Sequence, residues 1–85
     1  MGIAERIAKA GGRAAARKII DGLEKKLGEA RANVNNWGEL QKERALARDS
    51  KGVGQCARQL HKWGKEVKKL EAEIKLANKA LDKLS

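Results

Sequence analysis

The chain has 85 residues, with 20 Lys plus Arg against 11 Asp plus Glu, nine Gly and no Pro, Phe or Tyr. This describes one small basic domain, 1–85, whose formal charge of +9 favours anionic partners such as nucleic acid, acidic protein or anionic lipid. Apolar residues make up 41% of the chain, but 14 of them are Ala, too little bulk to enclose a pocket for a small-molecule substrate.

The lack of Pro and the wealth of Ala, Leu, Lys, Arg and Glu make helix the default, and β-branched residues are too scattered for strands. The expected fold is therefore all-α. Residues 1–18 form a short amphipathic helix with Ile3, Ile7, Ala10 and Ala14 on one face, and Gly11-Gly12 marks a kink or break. Arg6, Lys9, Arg13, Arg17 and Lys18 make a secondary basic patch on this segment. It lacks the continuous apolar stretch of a secretory signal, and no run in the chain approaches the roughly 18 to 20 apolar residues that span a bilayer. Without Trp or Phe it would insert poorly into an anionic membrane surface, so packing against another helix is the better reading.

Residues 19–48 form the first long helix. Its seam runs Ile20, Leu23, Leu27, Ala30, Val34, Trp37 in alternating steps of three and four, then loses register where Gln41, Arg44 and Arg48 fall on apolar positions. Asn36 with Glu39 three residues on has the form of a capping box, which leaves a break at Asn35–Gly38 open.

A turn is expected at 49–54, where two capping residues, Asp49 and Ser50, meet Gly52 and Gly54. Trp37 and Trp63 each lie 13 positions from Ser50, so an antiparallel hairpin brings the indoles within about one helical turn of each other and makes them core anchors. Each is followed by Gly, at 38 and 64, read as room for the indole on the facing helix.

The second long helix, 55–85, carries the strongest pattern. Starting a heptad at Val53, position a is held by Val53, Leu60, Val67, Ile74 and Leu81, and position d by Cys56, Trp63, Leu70, Ala77 and Leu84. The helix-packing seam of the hairpin thus draws on Leu27, Val34 and Trp37 from one helix and Leu60, Trp63, Val67, Leu70 and Ile74 from the other. Arg58, Lys62, Lys65, Lys68, Lys69, Lys75, Lys79 and Lys83 all fall at b, c or f, while Glu66, Glu71 and Glu73 flank the seam at e or g. Cations outnumber acids five to one in residues 1–20, balance six to six in 21–50, and lead nine to four in 51–85.

Catalysis finds no footing. His61, the single histidine, sits at an outer b position with no partner, and Cys56 is a small apolar seam residue that allows no intramolecular disulfide. There is no metal-ligand spacing, no phosphate loop and no cofactor motif. The lone thiol suits a reducing cytoplasm. The expected function is a non-enzymatic basic helical module that self-associates as a dimer or higher species. It would hold an anionic partner, nucleic acid backbone above all, through the eight cations of the last helix, whose span of about 37 Å tracks about one turn of duplex. The alternative is an assembly or inhibitor protein docking on other chains, a style seen in small phage and mobile-element products and consistent with a virion location. No zinc pattern, helix-turn-helix or RNA-binding aromatic motif points to sequence readout.

Overall fold

A computed structural model describes residues 2–84. It contains three helices, α1 Ile3–Ala8, α2 Arg13–Leu46 and α3 Ser50–Asp82, and no strand among the described residues. The chain is all-α. Helices α2 and α3 form a long helical hairpin preceded by the short α1, and together they make a rod of 56 × 18 × 14 Å.

Helix α2 starts at Arg13, earlier than the expected 19. The break between α1 and α2 spans residues 9–12 and turns on Gly11 and Gly12, whose φ of +92° and +125° are cheap only without a Cβ. Helix α2 then runs unbroken through Asn35–Gly38. Just before it, Asn33 bonds within the helix, its Nδ2 donating to the Glu29 carbonyl at 2.9 Å, and the helix continues through Asn36.

The reversal of the chain falls before the two glycines, at Ala47–Asp49, and Gly52 and Gly54 lie inside α3. Helix α2 closes with the N–H of Arg48 donating to the Ala45 carbonyl at 3.1 Å and that of Asp49 to the Arg44 carbonyl at 2.9 Å. This paired pattern requires a left-handed residue at its centre, a place usually held by Gly. Here Arg48 takes it, with φ +57°. Asp49 then caps α3, its Oδ1 accepting from the Gly52 N–H at 3.0 Å. One residue thus ends one helix and begins the next, which makes the connection shorter than the expected 49–54.

The core is concentrated at the open end of the hairpin, away from this turn. Ile3 and Ile7 of α1 pack there with Ala16, Ile20, Leu23, Leu27 and Ala30 of α2 and Leu70, Ala77 and Leu81 of α3. Two long helices alone cover one side of each, and only α1 adds a third wall. Arg13 ties this end together, donating from its guanidinium to the Leu81 carbonyl in the last turn of α3 at 3.1 Å, a carbonyl that also accepts from the Leu84 N–H at 3.0 Å.

Toward the turn the seam is thinner. Leu27 and Leu70 are buried, whereas Val34, Trp37, Leu60, Trp63, Val67 and Ile74 are half-buried. The expectation that the two indoles anchor the core is corrected accordingly. Trp63 packs at the edge of the main cluster, and the largest fully buried side chains are Ile7, Ile20 and Cys56. The glycines beside the indoles do not serve as clearance. A Cβ at Gly64 would meet nothing within 4 Å, and one at Gly38 would make ordinary contact with Leu60 at 3.9 Å.

Candidate functional site

Helix α3 turns its seam toward α2, so the b, c and f positions lie on its other side, with Lys62 at the edge toward α2 and Lys79 and Lys83 at the edge toward α1. Arg58, Lys62, Lys65, Lys68, Lys69, Lys75, Lys79 and Lys83 are all exposed. Among the described residues none of the eight lies within ion-pair distance of a carboxylate: the ion pairs are Arg17–Asp21 and Arg31–Glu71, both at 3.8 Å, and Arg44–Asp49 at 2.8 Å. Three of the four acids of α3 are drawn aside, Glu71 to Arg31 of α2, with Glu66 and Glu73 half-buried along the seam, while Asp82 is exposed at a b position among the cations. By contrast, the back of α2 mixes signs, with Asp21, Lys25, Glu39 and Glu43 all exposed.

The second patch is less uniform. Arg6, Lys9, Arg13, Arg17 and Lys18 are exposed, but Arg13 is engaged with the α3 terminus and Arg17 with Asp21 four residues on. Two of its five cations therefore have partners inside the chain.

His61 is exposed and Cys56 is buried. Among the described residues no three His, Cys, Asp or Glu side chains converge as a metal ion would require. No helix of the described residues is long and apolar enough to cross a membrane.

Two polar arrangements escaped sequence reasoning. The first is the turn cluster. The Arg44 guanidinium donates to Asp49 Oδ2 at 2.8 Å while the other carboxylate oxygen accepts from Gly52. The Gly52 N–H and then Arg44 hold the Asp49 carboxyl below its ordinary value, and Asp49 in return raises that of Arg44. Arg44 looks like an error of register in the seam. Its five-residue spacing to a helix-capping Asp was the available signal.

The second is an open groove of about 320 Å³ between α2 and α3, with Trp63, Ala30 and Leu70 in its floor and Lys26, Glu29, Lys62 and Glu66 at its rim. The Lys62 ammonium lies over the Trp63 ring, 5.3 Å from its centroid, within the range of a cation–π contact. The groove pairs positions from two helices that no single periodicity connects. Compared with protein-family models, curated proteins and solved structures, the chain has no match.

Proposed function

We propose that this chain is a non-enzymatic basic binding module, able to self-associate, that holds an anionic polymer along the outer face of α3, with nucleic acid backbone as the natural ligand. The observation that carries the reading is the set of eight exposed cations on one helix face with no carboxylate partner among the described residues. Exposed charges of this kind contribute little to folding, so their segregation on one face is better suited to phosphates outside the chain. A rigid row of cations neutralises phosphates and releases counterions whatever the base sequence.

The test is a titration with duplex and single-stranded DNA and RNA at several salt concentrations. Replacing Lys65, Lys68, Lys75 and Lys79 by Gln should leave helicity unchanged and weaken binding alike across sequences. The log–log salt slope should flatten by up to about 0.9 for each phosphate that is no longer neutralised. Equal affinity and slope in the parent and the quadruple variant would refute the reading.

A second reading, docking on another protein, draws on a different place. Ala4 and Ala8 of α1 border an open groove with Leu76, Ala80 and Leu84 of α3, and Leu76 is 52% exposed there. A parent chain with no affinity for nucleic acid at low salt would favour this reading.

A further inference from the structure

On α3, Trp63, Leu70, Ala77 and Leu84 recur at seven-residue intervals and edge one flank of the hairpin. At the open end α1 covers this flank. Ile3 and Ile7 join Leu70 and Ala77 in the core, and Ala4 and Ala8 border Ala80 and Leu84. Toward the turn the same flank is uncovered, and there lies the groove floored by Trp63, Ala30 and Leu70. A surface that takes a helix at one end thus continues beyond it without a cover.

Its rim selects the occupant. Lys26 and Glu29 stand on the α2 side, Lys62 and Glu66 on the α3 side, two charges of each sign. This differs from the outer face of α3, where cations dominate, and an anionic polymer entering here would meet both glutamates. We infer that the groove is an interface between two copies of the chain, crossing antiparallel along α3 so that Lys62 of each copy faces Glu66 of the other. A Lys and a Glu four residues apart on a helix match themselves when the helix is turned end for end, the self-complementarity a twofold contact demands. The indole beneath supplies the apolar centre, and the charged rim fixes register. Such a pairing buries the flank that a lone hairpin leaves open and keeps the outer basic face free except at Lys62.

This inference rests on the self-association in the function proposed above. It is read without nucleic acid, so its failure leaves backbone binding standing. Sedimentation equilibrium of the full chain at micromolar concentration should show a dimer. Lys62→Glu and Glu66→Lys should each weaken it by about tenfold or more, because like charges then face each other. An equimolar mixture of these two variants should recover a dimer, since every contact then joins opposite signs. The double variant Lys62→Glu/Glu66→Lys should dimerise like the parent. Lys62 is exposed and Glu66 half-buried, and circular dichroism checks that each variant keeps its helices. If Glu66→Lys is misfolded, Lys62→Glu against the parent decides. A parent chain that stays monomeric, single variants that dimerise as tightly as the parent, or no recovery on mixing or exchange would each overturn the assignment.

Discussion

At the scale of single residues, the glycines separate by what a methyl group would meet. At Gly52 a Cβ would fall against the Asp49 carboxylate and 2.8 Å from Arg44 Cδ, displacing both partners of the turn ion pair. At Gly28 and Gly54, inside helices and without positive φ, it would meet nothing within 4 Å. Gly28→Ala and Gly54→Ala should therefore each stabilise the chain by about 0.5–1 kcal/mol, as expected for Gly in a helix interior. Gly52→Ala should lower the melting temperature, and urea unfolding of the three variants compares them directly. Asp49 adds a dependence on pH. Its folded carboxyl value lies below the unfolded one, so its stabilisation is complete above the unfolded value of about 3.9. It is lost as pH falls through the lower folded value. Melting followed from pH 5 to pH 2 should accordingly fall less steeply in Asp49→Asn, which removes this titration while retaining a capping oxygen.

At the scale of the helix, α1 has six residues, far too few to be stable alone, and it is held by Ile3 and Ile7. Ile7 is fully buried, yet its loss should release α1 rather than unfold the hairpin. The two long helices differ along their length for the same reason. Ile20, fully buried where three helices meet, should cost about 2–5 kcal/mol on replacement by Ala. Leu60, half-buried in the two-helix part, should cost about 1–2 kcal/mol, in keeping with the smaller apolar area it removes from water. Urea unfolding of the two variants measures this gradient. Amide exchange should show the same order, with the open end of α2 better protected than the segment nearest the turn.

At the scale of the whole molecule, the radius of gyration is 17.3 Å, against about 12 Å for a compact chain of this length. A rod of this shape exposes much of what its helices could bury. Leu46 at the turn is 86% exposed and Leu76 is 52% exposed, while the central seam stays half-covered. If the Trp63 flank pairs two copies, melting should rise with protein concentration, because association stabilises only the folded chain. The same shape sets out the charge. The back of α3 is a cationic strip, the back of α2 is mixed, and the uncovered groove is balanced in sign. The two contacts proposed above, one to an anionic polymer and one to a second copy, would therefore fall on separate places on the rod, with Lys62 at their boundary.

The all-helical class, the hairpin and the exposure of the eight cations were legible in the sequence, because each depends on periodicity within one helix. A 3-4 repeat fixes which side of α3 is apolar and so which side faces water. The glycine pair at 11 and 12 was legible too, since two adjacent residues without side chains stand out between helical patterns. The turn was misplaced because its left-handed residue is Arg48, held there by two backbone hydrogen bonds and by Asp49, none of which composition reveals. The central role expected of Trp37 and Trp63 failed because burial depends on how many walls surround a position. The third wall, α1, reaches only the open end. Periodicity assigns a residue to a face, but only the tertiary arrangement decides how completely that face is covered, and here it left Trp63 at the edge of an open groove.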